Sequence, residues 1–303
     1  MKLQGILAPL TTPFAADGSV ALDKLRDNVA RYNPTPLIGY VAIGSTGESV
    51  LLNSDEVEQI WNAIREVAAP GKILIAGTGM ESTAETIARS RRAAAIGYHA
   101  VLVKTPHYFK SGMTAEALEK HYRSVADASP VPLFLYNIPQ NTGISMSADL
   151  VARLATHPNI VGIKESSGNV PLLAEIVQST SADFLAVAGS TSALLGALAV
   201  GAAGGILGVA CFLPELCTDI YTAWRAGDSA SARDIQLSVL PASRKIVAEL
   251  GPAGVKYAMD RAGYFGGPPR PPLLPLTEAQ KQTVDDALSA LLTAAARTDS
   301  QSR

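Results

Sequence analysis

Eight short apolar runs, each closed by Gly, Ser, Thr, Pro or Asn and followed by a longer amphipathic stretch, constrain the folding of this 303-residue chain more than any other feature. The runs lie near residues 5–9, 39–43, 73–76, 100–103, 133–136, 160–164, 184–188 and 204–206. Between them, apolar positions recur at helical spacing, as in 21–32, 55–67, 84–95 and 115–126. Short buried strands alternating with helices predict a parallel sheet, and eight of them predict a (β/α)8 TIM barrel. A doubly wound open sheet is the competing arrangement, but no Gly-x-Gly-x-x-Gly follows the first run. We therefore expect a barrel over residues 1–225. A C-terminal helical extension, 226–303, should pack on it; the proline-rich stretch 266–273 interrupts this extension, and 277–295 is again helical in pattern.

Composition narrows the function. Hydrophobic residues make up 48% of the chain, charged residues 17%, and the net charge is -2, so a large core is available and no basic surface suggests nucleic acid. The expected partner is a small molecule. Cys211 and Cys217 share one apolar segment with no metal-type cluster around them, so they read as core residues in a reducing compartment, with no metal site. The start, residues 1–6, enters a strand-like run without a secretory apolar region, and no apolar stretch is long enough to span a bilayer. These features predict a cytoplasmic protein without a membrane partner.

In a barrel of this kind, chemistry gathers at the C-terminal ends of the strands. Lys164 ends the run 159–164 and is followed by the small polar turn Glu165, Ser166, Ser167, Gly168. An ammonium carried into an apolar setting loses hydration, which lowers its pKa and exposes the free amine that attacks ketones. The plainer alternative is a strand that ends in a solvated lysine. Lys104 also ends a strand and is an equal candidate by pattern, whereas Lys72 begins its strand and lies at the opposite face. Gly44 to Ser49 follows the second strand with two hydroxyls, backbone N–H groups and flanking glycines; it suits a carboxylate or phosphate and equally suits an N-cap. Tyr136 closes the fifth strand, where a phenol can relay protons or simply pack. The loop after the fourth strand carries His107, Tyr108 and Phe109 and could form a lid or subunit contact. His107 has no carboxylate partner visible in the sequence, and His99, His121 and His157 read as helix or turn positions. The glycines of 77–79 and 204–205 are too few to imply a nucleotide, and no cofactor is expected.

Taken together, Gly44 to Glu48, Tyr136 to Pro139 and Gly162 to Lys164 resemble the Gly-[Ser/Thr]-Thr-Gly-Glu, Tyr-Asn-x-Pro and Gly-x-Lys motifs of one family. This is the dihydrodipicolinate synthase and N-acetylneuraminate lyase family of pyruvate-handling class I aldolases. The likeness covers nearly the whole chain. It implies that Lys164 forms an imine with pyruvate, that Tyr136 relays protons, and that Ser45 and Thr46 hold the pyruvate carboxylate and join the relay. It implies that Lys104 is a bystander. Substrate contacts are implied for Asn141, Ser166, Gly189 and Ile206 besides Ser45 and Thr46. Tyr108 falls on a tyrosine that reaches into a neighbouring subunit's site, which implies an oligomer, usually a homotetramer built as a dimer of dimers.

One departure bears on the second substrate. Where the synthases carry an arginine after Tyr-Asn-x-Pro, this chain has Asn141, which offers a neutral amide in place of a charge-assisted clamp. Asn141, the stretches 76–83 and 157–164, and the block 263–270 instead resemble 4-hydroxy-2-oxoglutarate aldolase, while Thr46 and Asn137 lean towards the synthases. The leading expectation is a lyase cleaving 4-hydroxy-2-oxoglutarate to pyruvate and glyoxylate. The alternative is 4-hydroxy-tetrahydrodipicolinate synthesis from pyruvate and aspartate semialdehyde. More distant readings are a sugar-acid aldolase and a non-catalytic barrel that binds 2-oxo acids.

Overall fold

The computed structural model describes residues 3–301, with side chains as far as Leu291 apart from residue 290; Met1 and Lys2, the first residues of the strand-like start, lie outside it. Eight parallel strands close on themselves: β1 (Gly5–Pro9), β2 (Gly39–Ala42), β3 (Ile73–Gly77), β4 (Ala100–Lys104), β5 (Leu133–Asn137), β6 (Ile160–Glu165), β7 (Leu185–Ala188) and β8 (Gly204–Ile206), with β8 paired to β1. The chain is thus a (β/α)8 barrel, as its apolar rhythm predicts. Both faces of each strand are buried, so the strands read as continuous apolar runs. Inward side chains such as Leu7, Val41, Ile75, Phe134 and Val187 fill the lumen. Outward ones such as Ile6, Tyr40, Val101, Leu135 and Ile163 pack beneath the helices.

Six strand ends differ from expectation by one residue: β3, β4, β5 and β6 run on to Gly77, Lys104, Asn137 and Glu165, where their ladders continue, and two others fall short. Ile43 falls outside β2 because its backbone turns left-handed (φ 59°), and β7 starts one residue late because Phe184 N–H closes a turn on Ser181.

Helices α1 (Leu22–Tyr32), α2 (Ser54–Val67), α3 (Thr83–Ile96) and α4 (Ala115–Ala128) follow the first four strands. Their boundaries have local causes. Asn53 and Glu56 form a reciprocal capping box at the start of α2, Ser82 and Thr114 cap α3 and α4, and Gly97 ends α3 in a left-handed conformation. On α1 the buried Leu25, Val29 and Tyr32 make one apolar stripe. The short α5 (Pro139–Thr142), α6 (Ala148–Ala155), α7 (Val170–Ser179) and α8 (Leu194–Ala199) complete the wall up to β8.

After β8 come α9 (Pro214–Arg225), α10 (Ser229–Pro241), a π-helical segment over Ala242–Glu249, α11 (Gly251–Arg261) and α12 (Glu278–Gln301). Helix α10 packs on α9, and the π-helical segment touches α11, α12 and the turn Gly208–Cys211 beyond β8. Cys211 and Cys217 are buried free thiols. Among the described residues no helix is long and apolar enough to cross a membrane.

Candidate active site

Sheet register brings the site together. Tyr136 on β5 lies opposite Lys164 on β6, and both sit at strand ends facing the C-terminal mouth of the barrel. Alternation along β6 sends Ile163 outward and Lys164 inward, behind Gly162. Gly162 has to be glycine, since a Cβ there would stand 2.5 Å from the Phe134 ring in the lumen. Lys164 is 4% exposed, and its Nζ donates to Tyr136 Oη at 3.3 Å while standing 4.4 Å from the ring centroid. Tyr136 Oη in turn lies 3.5 Å from Ser45 Oγ, so amine, phenol and hydroxyl form one chain. Among the described residues Lys164 takes part in no ion pair.

The relative height of the two strands is stapled one residue further on. Asn137 Nδ2 donates to Glu165 Oε1 at 3.0 Å, and Asn137 Oδ1 accepts from Met146 N–H at 3.0 Å. Glu165 Oε1 also accepts from Ser167 N–H at 2.9 Å, which folds the turn after β6 back on itself. The sequence marks Asn137 only as a motif residue and Glu165 only as part of a turn, not as a pair. Their signal is adjacency, since each directly follows one of the two mouth residues.

A cavity of about 340 Å³ opens above Lys164. Ser45, Thr46, Tyr136, Asn141, Ser166, Gly189 and Ile206 all line it, so seven expected site residues besides Lys164 meet in one place. Ser166 Oγ and Thr191 Oγ1 are buried with no intramolecular partner, which leaves two hydroxyls for polar groups of a ligand. A Cβ at Gly189 would fall 1.8 Å from Ser166 Oγ, so glycine is what leaves that hydroxyl its place. Gln140 Nε2 donates to Ser166 O at 3.0 Å and ties the rim to the floor. Ser243 and Val247, aimed inward by the π-helical segment, close the far side. These two, with Thr191, escape motif reading because they lie on elements with no pattern of their own. Lys164 is the one charged side chain among the described lining residues.

Tyr108 lies elsewhere. It borders a neighbouring hollow of about 280 Å³, is 77% exposed, and stacks edge to face on Phe109 with centroids 5.0 Å apart. Ser45 and Tyr136 form the wall common to both hollows. Lys104 faces this second hollow, where Glu81 Oε1 lies 3.6 Å from its Nζ. Burial lowers the Lys104 pKa from the ordinary lysine value, with Glu81 opposing. His107 does have a carboxylate: Glu81 Oε1 is 2.7 Å from Nδ1, and Glu81 Oε2 accepts from the N–H groups of His107 and Tyr108 at 2.8 Å each. The sequence could not show this, because Glu81 sits on a different loop. The other histidines are structural: His99 accepts from Leu74 N–H, His121 bonds Thr83, and His157 bonds Asp127.

A buried amine beside a phenol and a hydroxyl, under a cavity with unclaimed hydrogen-bonding groups, can add to a carbonyl carbon and move the protons this requires.

Known proteins resemble this chain over nearly its whole length. A profile described as the dihydrodipicolinate synthetase family matches residues 2–291. The 4-hydroxy-tetrahydrodipicolinate synthase of Acidiphilium cryptum is 37% identical over 287 residues, covering 95% of this chain and 98% of the relative. That of Methanopyrus kandleri is 34% identical over 293 residues, covering 96% and 97%. The solved 4-hydroxy-tetrahydrodipicolinate synthase of Methylacidiphilum fumariolicum superposes with a TM-score of 0.93 at 29% identity, covering 98% and 99% of the two chains. A dihydrodipicolinate synthase of Acinetobacter baumannii complexed with pyruvate superposes at 0.91 with 32% identity, covering 95% and 99%.

Proposed function

The chain belongs to the dihydrodipicolinate synthetase family of class I aldolases, and on that premise we propose that it joins pyruvate to an aldehyde, or releases pyruvate from the adduct, through an imine on Lys164. The observation that carries this reading is the 3.3 Å contact between the buried Lys164 Nζ and Tyr136 Oη at the foot of the cavity. The amine adds to C2 of pyruvate, and the carbonyl oxygen leaves as water after protonation. Tyr136 and Thr46 serve as the proton carriers of this step, with Ser45 and Thr46 receiving the pyruvate carboxylate. The resulting iminium draws electrons from C3, so loss of a C3 proton gives an enamine that attacks the aldehyde carbon; the reverse sequence cleaves the same bond. Geometry supplies most of the help, because the reacting groups are fixed before the substrate arrives.

For the aldehyde, aspartate semialdehyde is the first reading, giving 4-hydroxy-tetrahydrodipicolinate. The full-length relatives that carry that activity in their names support it. The ordering expected from Asn141 and the stretches 76–83, 157–164 and 263–270 is thereby reversed. Asn141 nonetheless favours a second reading, 4-hydroxy-2-oxoglutarate as donor of pyruvate and glyoxylate, because no guanidinium lines the described cavity to grip the semialdehyde's carboxylate. Ser166 and Thr191 hydroxyls would take the polar groups of either partner.

The exposed Tyr108 is proposed to complete a neighbouring subunit's site, in a homotetramer arranged as a dimer of dimers.

Borohydride reduction in the presence of pyruvate tests the imine: a pyruvate-sized mass increment on the peptide carrying Lys164 is expected, and its absence from folded protein would remove the mechanism. Turnover of aspartate semialdehyde and glyoxylate under one set of conditions then ranks the aldehydes. Faster condensation with glyoxylate would promote the second reading over the first.

A further inference from the structure

The loop that offers Ser45 and Thr46 ends in Glu48, a residue that does not line the cavity. Glu48 points the other way, into the protein. Its Oε1 lies 2.5 Å from Lys256 Nζ on α11, with the two side chains 0% and 1% exposed. Its Oε2 accepts from the Arg270 N–H at 2.8 Å. Lys256 Nζ also donates to Pro268 O at 2.9 Å and stands 4.3 Å from the Phe14 ring centroid. The Arg270 guanidinium grips both oxygens of Glu56, at 2.7 and 2.8 Å, and donates to Leu51 O at 2.9 Å. The C-terminal region therefore clamps the loop after β2 from outside the barrel.

The backbone shows what the clamp works against. Ile43 at the loop's entry (φ 59°) and Glu48 at its exit (φ 56°) are the non-glycine residues with positive φ among those described. Side chains make that conformation costly, and it persists only where surrounding contacts over-determine it. Thr12 Oγ1 holds the loop's middle through Gly47 O at 2.7 Å, and the Lys256 ion pair holds its exit. Chain packing around this lysine is close: a Cβ at Gly266 would fall 1.9 Å from Lys256 O. A fully buried ion pair is a poor source of stability, since an apolar pair of the same volume serves packing as well or better. Its place at the end of the motif loop accounts for it differently.

We propose that Lys256, acting through Glu48, is a positioning residue for pyruvate: the ion pair fixes the left-handed exit of the 44–48 loop and so sets where Ser45 and Thr46 meet the substrate carboxylate. The inference rests on the role given to that loop under Proposed function. Neither Lys256 nor Glu48 touches substrate.

The test uses Glu48→Gln and Lys256→Met, singly and together, in the full chain, with pyruvate and aldehyde half-saturation measured separately and melting temperature as a control. Each folded single variant is expected to raise pyruvate half-saturation about tenfold or more while leaving that for the aldehyde within about twofold. The double variant is expected to recover part of the loss, because it strands no lone buried charge. A purely structural pair would lower the melting temperature and leave pyruvate half-saturation unchanged, and that result overturns the inference. If Lys256→Met does not fold, the isosteric Glu48→Gln decides alone. Borohydride trapping with pyruvate is run on the wild type first. No adduct there sinks the imine reading, whereas an adduct together with unchanged half-saturation in the variants sinks only the positioning pair.

Discussion

Lys104 and Lys164 stand opposite the same residue, Tyr136, one on each side of β5, yet it is the Lys164 amine that meets the phenol. Lys104 turns to Glu81 in the adjoining hollow. Two lysines at one level of the barrel thus have different surroundings, one beside a carboxylate and one beside hydroxyls. Lys164→Met is expected to abolish the pyruvate adduct, and Lys104→Met to leave it in place. Mass spectrometry after borohydride treatment checks both, and a persistent adduct in Lys164→Met would transfer the role to another amine.

Tyr136 is placed to carry protons between the amine and Ser45. On the proposed role, replacing its hydroxyl removes the carrier but leaves the ring and the cavity wall. Tyr136→Phe should therefore lower kcat by about 10²-fold or more, in the range of a lost general acid–base group. Pyruvate half-saturation should change far less. Steady-state kinetics separates the two; a Phe variant with near wild-type kcat would show that water or Thr46 suffices.

Asn141 sits at the cavity rim among neutral groups. Asn141→Arg adds a fork-shaped cation that can bind a carboxylate bidentately, so kcat/KM for aspartate semialdehyde relative to glyoxylate should rise by about tenfold or more. A competition assay with both aldehydes reads the ratio directly. No change in that ratio would mean that neither aldehyde's carboxylate reaches the position.

His121 predicts a pH effect on stability that does not depend on the active site. Burial, the largest cause, lowers its pKa from 6.5 to about 4, with Glu81 opposing and Lys104 assisting. The folded state therefore binds the proton more weakly than the unfolded state. The native form is undiminished above the unfolded value of 6.5, and stability falls as pH drops from there towards 4. The full loss attributable to this group is about 3 kcal/mol. His121→Gln should flatten that part of the profile, which denaturant melts at neutral and mildly acidic pH would reveal. Parallel profiles for wild type and variant would assign the acid sensitivity to other groups.

Much of the architecture can be read along the chain because its causes are local. The short continuous apolar runs, the capping residues at Asn53, Ser82 and Thr114, and the turn residues after each strand set the elements and place Lys164 and Tyr136 at strand ends. Element ends are less legible, as at Ile43, where a left-handed turn replaces one more strand residue, and at Ala128, to which α4 runs two residues beyond its apolar pattern. The motif residues also announce themselves one by one, since each lies directly behind its own strand.

Barrel closure decided the rest. Which lysine meets Tyr136, that His107 shares Glu81 with Lys104, and that Ser243 borders the cavity all depend on how separate strands and helices come to lie side by side. Glu48 and Lys256 are paired although most of the chain separates them, and nothing in either's neighbourhood in the sequence marks the other. Local pattern specifies elements because it reflects backbone geometry and the burial of one face; it carries no information on which side chains converge from distant segments, and that convergence makes the site.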